Sequence, residues 1–369
     1  IIALIVIWLI FTLTTGKVFL TPRNLSNLFL QTVPVGILAV SMTLIIVTGH
    51  IDLSVGALAG FCGAVAAVLQ VKYQFSTASV ILAALAVGFV IGLWHGFWVA
   101  RQKVPAFIVT LSSMLALRGA ILGVTDGMTI GPMSDSFKAI GQKYLPSMFS
   151  GVPNFNDSSL MVAVICIALY LVFDWNSRKA RIKFGFDVLP MNAQVLRMVL
   201  IGLAMAAFFS VMIFYQGIAY CVLLLMAITV VFSFIAENTV YGRRLYAIGG
   251  NADAARLSGI NIEKSVMWLF VIHGCLTAVA GIVLTARLNA ATTSAGANME
   301  LDAIAASVIG GTSLLGGEGT IIGSIIGALI MASLDNGMSL MNMNITYQYI
   351  IKGMILLFAV WLDIYNRRK

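Results

Sequence analysis

Five charged side chains lie inside long apolar stretches of the sequence: Asp52, Arg118, Asp302, Asp335 and Lys352. A charge at the centre of a bilayer costs about 3 kcal/mol or more, so such residues are usually buried, paired or functional. Asp52 and Asp302 stand near the ends of their stretches. Each is therefore either a functional acid or a helix cap that accepts hydrogen bonds from free backbone amides.

The other three charges have simpler structural interpretations. The sequence Asp335-Asn336-Gly337 predicts a helix end. Arg118 and Lys352 are long enough either to pair with acids or to extend to a membrane interface.

No catalytic motif accompanies these charges. The phosphate-binding pattern GxxxxGK(S/T) is absent, and Lys264-Ser265 lacks the required glycines. His50, His95 and His273 are far apart in the sequence, and the four cysteines, at 62, 166, 221 and 275, have no metal-ligand spacing. We therefore expect neither an enzyme nor a metal or cofactor bound by this chain.

The composition is that of a membrane protein, with 60% hydrophobic and 10% charged residues and a mean hydropathy of +1.00. A soluble domain carries about 25% charged residues. A spanning helix needs about 20 mostly apolar residues, and such stretches run from end to end, which predicts one membrane domain over residues 1–369 with an all-α polytopic fold. The twelve candidate crossings are residues 1–19, 30–49, 54–71, 78–100, 104–124, 159–175, 196–215, 219–236, 265–287, 301–316, 319–336 and 345–363. Lys17, Pro22 and Arg23 follow the first stretch and favour a retained helix over a cleaved signal peptide.

The net charge of +8 is a topology signal and not a nucleic-acid signal, because the basic residues lie between apolar stretches. Fourteen Lys and Arg fall in one set of alternate connections, which includes 101–103, 178–197, 243–264 and the tail 367–369. Six fall in the opposite set. Cytoplasmic connections are enriched in Lys and Arg, so both termini are expected to be cytoplasmic and the polar stretch 125–158 external.

The stretches 301–316 and 319–336 are short and rich in glycine. Such segments indicate either broken or re-entrant helices beside a translocation path or helices that approach each other closely. The sequences 51–56 and 301–306 are faintly similar and begin from opposite membrane faces in this topology, as an inverted repeat would.

The basic cytoplasmic loop 241–264 is more organised than a linker. Gly249-Gly250 is expected to break the chain, Asn251 to cap a short helix over 251–258, and Gly259 to end it. A free two-turn helix is unstable in water. Either the membrane surface or a partner protein must therefore stabilise it.

Three sequence blocks resemble the permeases of bacterial monosaccharide importers of the ATP-binding cassette (ABC) class. The blocks are Ile51 to Gly56, Tyr246 to Asn261 and Glu300 to Leu314. Within the family, the segments 104–111 and 331–339 look most like xylose permeases, although arabinose and galactose permeases share the main blocks. The resemblance implies a ten-helix core, to which the stretches that flank the basic segment 176–197 add an inserted pair.

The resemblance also implies the partners: a second copy of the chain, a cytoplasmic ATPase subunit that binds ATP and Mg²⁺, and a periplasmic sugar-binding protein, all at a bacterial inner membrane. In such importers a cytoplasmic coupling helix docks on the ATPase. The matching residues here are Gly250, Asn251, Ala254, Ala255, Arg256, Leu257, Ser258 and Gly259.

The resemblance predicts ATP-driven alternating access for a monosaccharide, D-xylose first. A deep sugar site would need several converging polar groups, and the apolar stretches offer few, so recognition is expected to be shallow. The pathway candidates are Asp52, Ser54, Asn289, Asp302, Thr312, Ser313 and Asn336. The alternative is an ion-coupled secondary sugar transporter. The loop 125–158 is either a dock for the binding protein or a plain surface loop.

Overall fold

The computed structural model describes residues 2–149 and 155–367, and in these parts the chain is helical, without a β-sheet. The all-α polytopic fold class is thereby confirmed. Ile1, Arg368, Lys369 and part of the predicted external loop 125–158 lie outside the described residues. The fifteen α-helices of the described chain are α1 Ile2–Thr14, α2 Pro22–Val47, α3 Val55–Ala67, α4 Thr77–Gly96, α5 Ala106–Thr125, α6 Asp135–Gln142, α7 Asp157–Lys183, α8 Met191–Ile213, α9 Tyr220–Asn238, α10 Val240–Gly250, α11 Ala252–Leu257, α12 Ile262–Leu288, α13 Met299–Ile309, α14 Ile321–Leu340 and α15 Ile345–Arg367.

Nine of the helices in the described parts are long and apolar enough to cross a membrane: α2, α3 and α4 with the π-helical turns that extend them to Lys72 and Arg101, α5, α7, α8, α9, α12 and α14. Shorter apolar helical segments lie at Ile2–Thr14 and Ile345–Trp361.

The two glycine-rich stretches differ in length. Helix α13 has 11 residues, which gives a length of about 16 Å against a hydrocarbon thickness of about 30 Å. It is one of the short helices expected near 301–336, and the predicted crossing at 301–316 is wrong. Helix α14 is long enough to span, and the predicted helix end at 335–337 is also wrong because α14 continues to Leu340.

The chain divides into two compact units, of which the larger contains the described residues of Ile1–Phe19, Leu28–Gln142 and Cys221–Lys369. Its apolar core lies among α3, α4, α6 and α12, with Leu58, Phe137 and Ile282 at its centre. Helix α12 is buried along most of its length. Its burial on several faces explains why its sequence is apolar all round and shows no amphipathic stripe.

Helices of the larger unit meet at small residues. A Cβ atom on Gly88 of α4 would lie 2.4 Å from the carbonyl oxygen of Gly274 on α12, and one on Gly281 would lie 2.2 Å from the carbonyl oxygen of Ala59 on α3. Between α13 and α14, a Cβ atom on Gly327 would lie 1.9 Å from the carbonyl oxygen of Ala306. Small residues allow this backbone contact, which is a main source of helix association in a bilayer.

The smaller unit contains Leu20–Asn27 and the described residues of Lys143–Tyr220. Its main feature is the hairpin of α7 and α8, which corresponds to the predicted inserted pair. The side chain of Asn156 caps α7 by accepting a hydrogen bond from the backbone amide of Ser159 at 2.8 Å. The Ser159 hydroxyl accepts another from the amide of Ile218 at 2.9 Å. These bonds fix the start of α7 against the segment that follows α8.

We expect Gly88→Ala to lower the free energy of unfolding by about 1–3 kcal/mol, because the new methyl group cannot fit between α4 and α12. Gly119→Ala on α5 is the matched control, since its Cβ would meet no atom within 4 Å. That change should alter stability by no more than about 1 kcal/mol. Thermal melting of the purified chain in detergent compares the two variants. Equal melting temperatures would contradict a tight α4–α12 crossing.

Candidate functional site

Two consecutive surface helices, α10 and α11, occupy the basic loop. The predicted short helix is present as α11: the Asn251 side chain caps it by accepting a hydrogen bond from the Ala254 amide at 2.9 Å. Gly259 follows it with a left-handed φ of +83°. The expected chain break at Gly249-Gly250 is wrong, because both glycines complete α10 and the chain turns at Asn251.

Helix α11 presents a mixed surface. Ala255 is buried, whereas Leu257 is 90% exposed and Arg256 is exposed. A guanidinium nitrogen of Arg256 lies 4.0 Å from the Asp253 carboxylate, a distance at which an exposed pair contributes little. Helix α11 therefore buries Ala255 and exposes the apolar side chain of Leu257 and the basic side chain of Arg256.

The end of α10 packs against the backbone of two other segments, and we call this place the Gly249 junction. A Cβ atom on Gly249 would lie 1.7 Å from the Val47 carbonyl oxygen, at the end of α2. The same carbonyl accepts a hydrogen bond from the Gly317 amide at 2.8 Å. Because no side chain fits at residue 249, α10, α2 and the turn after α13 are in direct backbone contact.

A side chain also fixes this junction. The Tyr246 hydroxyl donates a hydrogen bond to the Gly319 carbonyl oxygen at 2.7 Å. Burial, and to a lesser degree the nearby Glu237 carboxylate, raise the pKa of the Tyr246 phenol. The hydroxyl therefore keeps its proton at neutral pH and remains a donor.

The turn between α13 and α14 folds on itself. Gly311, Gly316 and Gly317 have positive φ angles of 93°, 87° and 78°, which glycine adopts without steric cost. The Ser313 amide donates to the Glu318 carbonyl at 3.0 Å. Thr312 and Ser313 are fully buried in this turn, so these two pathway candidates do not line an open channel in this conformation.

Asp52 lies at the centre of a buried polar cluster that the sequence did not reveal. Its Oδ1 accepts hydrogen bonds from the amide and hydroxyl of Ser54, at 2.7 and 2.6 Å. Its Oδ2 lies 3.5 Å from Nδ1 of His95 on α4 and 3.4 Å from Nε2 of His273 on α12. These last distances are at the limit for a hydrogen bond, so the attraction there is mainly electrostatic.

The Asp52 cluster joins the segment before α3 with α4 and α12, and a third histidine, His50, lies nearby. The rings of His50 and His95 each meet the ring of Phe270 edge-on, with centroids 6.0 and 6.1 Å apart. The cap interpretation of Asp52 is replaced: Ser54 occupies the N-cap position of α3, and Asp52 binds Ser54 and faces the imidazoles. Only the fold brings the scattered histidines together.

A second polar cluster, which is partly buried, consists of one Lys between two acids. Nζ of Lys352 on α15 lies 2.9 Å from Oδ1 of Asp302 on α13 and 2.8 Å from Oδ1 of Asp335 on α14. Asn298 and not Asp302 occupies the N-cap position of α13, so the cap interpretation of Asp302 is wrong. The Lys352 cluster holds three helices together by charge.

The remaining candidates lie elsewhere. Asn289 ends α12 with a φ of +57°, and its Oδ1 accepts a hydrogen bond from the Met133 amide at 3.0 Å. Asn336 is buried, with Nδ2 3.5 Å from Oε1 of Gln31. Arg118, one of the charges inside the apolar stretches, donates to the Ala295 carbonyl at 2.9 Å. Asn289 and Asn336 therefore have structural partners on segments distant in sequence.

One cavity lies beside the Asp52 cluster. Its volume is about 420 Å³, and its lining includes His50, Lys103 and Phe107. Within the described chain, no group of three or more His, Cys, Asp or Glu side chains is arranged to hold a metal ion. The cavity is large enough for a small polar molecule, but only two titratable side chains line it.

Comparisons with known proteins extend over nearly the whole chain. The family model described as "Branched-chain amino acid transport system / permease component" matches residues 24–360. The xylose transport system permease protein of Escherichia coli (strain K12) is 44% identical over 367 residues, which cover 100% of this chain and 91% of that protein. The Haemophilus influenzae protein of the same name is 42% identical over 368 residues, 100% of this chain and 96% of the relative. The ribose import permease protein of E. coli (strain K12) is 35% identical over 360 residues, 98% and 91% of the two chains. No solved structure matches.

We expect Lys352→Gln to destabilise the chain by roughly 1–3 kcal/mol, because it leaves the buried Asp302 carboxylate and the half-exposed Asp335 carboxylate without their cation. Lys72→Gln is the matched control: its pair with Asp126, at 2.9 Å, is exposed to solvent and should contribute less than about 1 kcal/mol. Melting in detergent measures both. A Lys352→Gln variant as stable as the control would show that the cluster does not hold α13, α14 and α15 together.

Proposed function

The chain belongs to the branched-chain amino acid transport system / permease component family, and we propose that it is the membrane permease of an ABC importer for a monosaccharide, D-xylose in the first place. The observation that carries the proposal is the similarity to xylose permeases, at 42–44% identity along the whole chain. The named relatives give no support to the ion-coupled secondary transporter.

Three acids are each in contact with other polar side chains: Asp52, Asp302 and Asp335. Acids at such positions serve proton relays in some transporters and structural pairs in others. Lys352 lies within hydrogen-bond distance of both Asp302 and Asp335, and its single charge balances one of the two carboxylates; Asp52 is held by Ser54 and faces two imidazoles. Each acid has a structural partner.

In the proposed importer, ATP is hydrolysed by a separate cytoplasmic subunit, which binds the nucleotide and Mg²⁺. Helix α11 is the proposed contact with that subunit, because it exposes Leu257 and Arg256 and is too short to be stable without support. The coupling residues are those from Gly250 to Gly259 named above. A second copy of the chain, a periplasmic sugar-binding protein and an inner-membrane location with cytoplasmic termini complete the proposal.

The Gly249 junction gives a physical route by which a movement of α11 is transmitted to the membrane helices. Helix α11 follows α10 directly, and α10 contacts the end of α2 and the glycine-rich turn through backbone atoms alone. Five residues beyond Val47, the chain reaches Asp52 and its histidines. A shift of α11 therefore reaches both the turn before α14 and the Asp52 cluster.

Selectivity is proposed to reside mainly in the sugar-binding protein. Asp302 lines a cavity with Asn298, Tyr349 and Lys352, but its volume of about 120 Å³ is small against the roughly 300 Å³ or more of a typical ligand pocket. Asn289 and Asn336 contact Met133 and Gln31 instead. A tight sugar site needs several polar groups that converge on one ligand. Whether the loop 125–158 docks the binding protein stays a prediction.

The proposal is tested by sugar-stimulated ATP hydrolysis in the complex reconstituted with the ATPase and the binding protein. We expect Arg256→Glu to reduce the stimulation by about tenfold or more, because it reverses a charge at the proposed contact. Lys72→Glu reverses a charge in the opposite set of connections and should leave stimulation nearly unchanged. Stimulation that survives Arg256→Glu at the wild-type level would contradict the assignment of α11.

A second test compares Gly249, at the junction, with Gly250, its neighbour in sequence. Gly249→Ala should uncouple sugar from ATP hydrolysis, because the new Cβ would collide with the Val47 carbonyl oxygen. Gly250→Ala should be tolerated, since its Cβ would meet no atom within 4 Å. The measured quantity is the ratio of xylose transported to ATP hydrolysed. Equal ratios in the two variants would exclude the Gly249 junction as the route.

A further inference from the structure

The hairpin of α7 and α8 surrounds a cavity of about 610 Å³ at its basic end. Arginine side chains from both helices line it: Arg178 and Arg181 come from the last turns of α7, and Arg197 from α8. A topology signal requires only that basic residues lie on the cytoplasmic side. It does not require them to converge on one cavity between two helices.

The three arginines differ in what neutralises them. A guanidinium nitrogen of Arg197 lies 2.5 Å from Oδ1 of Asp174, so this charge is paired. Arg178 donates a hydrogen bond to the Leu189 carbonyl at 2.5 Å, which orients the guanidinium and leaves its charge in place. No carboxylate of the described chain lies within 4.0 Å of Arg178 or Arg181.

The cavity as a whole favours an anion. Residues 174–197 contain five basic and two acidic side chains. Of the two acids, Asp174 forms an ion pair with Arg197. Asp187 lines the cavity but is exposed to solvent. Two oriented or unpaired guanidinium groups therefore remain, with Lys179 and Lys183 close by in sequence.

The surrounding surface places this cavity at the level of lipid headgroups. Val172 and Phe173 on α7 and Leu200 on α8 are exposed apolar side chains that suit contact with acyl chains. In the connection between the helices, Phe184 and Phe186 are 73% and 67% exposed. Aromatic side chains beside basic ones are typical of the membrane interface.

We propose that this cavity, which we call the Arg178–Arg181 cavity, binds the headgroup of an anionic phospholipid, with the phosphodiester oxygens between the two guanidinium groups. The planar fork of Arg matches phosphate oxygens in a bidentate manner. Basic pockets between membrane helices on the cytoplasmic side are suited to such headgroups. The bound lipid would hold the two helices of the hairpin together at their cytoplasmic ends.

Native mass spectrometry of the full chain in detergent, with added phosphatidylglycerol, tests this assignment. We expect Arg178→Gln with Arg181→Gln to weaken phosphatidylglycerol binding by about tenfold or more, because two charge-assisted contacts are lost. The matched control, Lys179→Gln with Lys183→Gln, removes the same charge from the same segment without altering the cavity lining. It should change the affinity by no more than about twofold.

Three outcomes would overturn the proposal. Equal losses in the two double variants would mean diffuse attraction to a basic surface. Equal binding of phosphatidylcholine would exclude an anionic headgroup as the ligand. Occupancy by soluble glycerol phosphate at the concentration that saturates with phosphatidylglycerol would assign the site to free phosphate esters and not to lipid.

A second variant covers the case in which the glutamine pair does not fold. Arg178→Lys with Arg181→Lys keeps both charges and replaces each fork by a point charge. We expect this pair to bind phosphatidylglycerol about threefold more weakly at an unchanged melting temperature. Undiminished affinity would contradict recognition by the two guanidinium groups.

Discussion

The packing of the larger unit depends on direct contact between the backbones of neighbouring helices. At the Gly249 junction two helix ends and a turn meet with no room for a side chain, and at the crossing of Gly88 and Gly274 two long helices do the same. In a bilayer the hydrophobic effect contributes little to the association of helices, because lipid tails are as apolar as the side chains. Close packing at small residues must therefore drive the association. Contacts of this kind have steep distance dependence, because a shift of about 1 Å either opens a gap or produces a clash. Elements joined in this way move together, which is what a permease driven from its cytoplasmic surface requires.

The two polar clusters restrict how these helices can move. The Asp52 cluster ties the segment before α3 to α4 and α12, and the Lys352 cluster ties α13 to α14 and α15. Separating Lys352 from its two acids, or the imidazoles from the Asp52 carboxylate that they face, leaves a polar group without its neighbour, at a cost of about 1–3 kcal/mol. Each set of three elements is therefore expected to move as a body. The glycine-rich turn between α13 and α14 lies outside regular helix. It is the natural place for a change of conformation.

Much of the fold could be predicted from the sequence, because the apolar stretches are long and the glycine and asparagine signals are local. Asn251 caps α11 as expected, and the short glycine-rich segment near 301 is a short helix. The errors have a common cause. Asp335-Asn336-Gly337 resembles a helix end, but α14 continues to Leu340, and Asp335 pairs with Lys352 on another helix. Asp52 and Asp302 look like caps; Asp52 does accept a hydrogen bond from the nearby Ser54 amide, but its imidazole neighbours and the Lys352 partner of Asp302 lie on elements distant in sequence. The convergence of His95 and His273 on Asp52 has no local signal, since it depends on the register between α4 and α12.

The central claim is that ATP hydrolysis by a separate subunit drives a sugar through this chain. The most direct measurement is uptake of labelled D-xylose by proteoliposomes that contain the chain, its ATPase subunit and its binding protein, with ATP on the ATPase side. The account predicts accumulation against a gradient that requires all three proteins and ATP, and that persists when ionophores abolish proton and sodium gradients. Accumulation by the chain alone, driven by an imposed ion gradient and lost with ionophores, would contradict it.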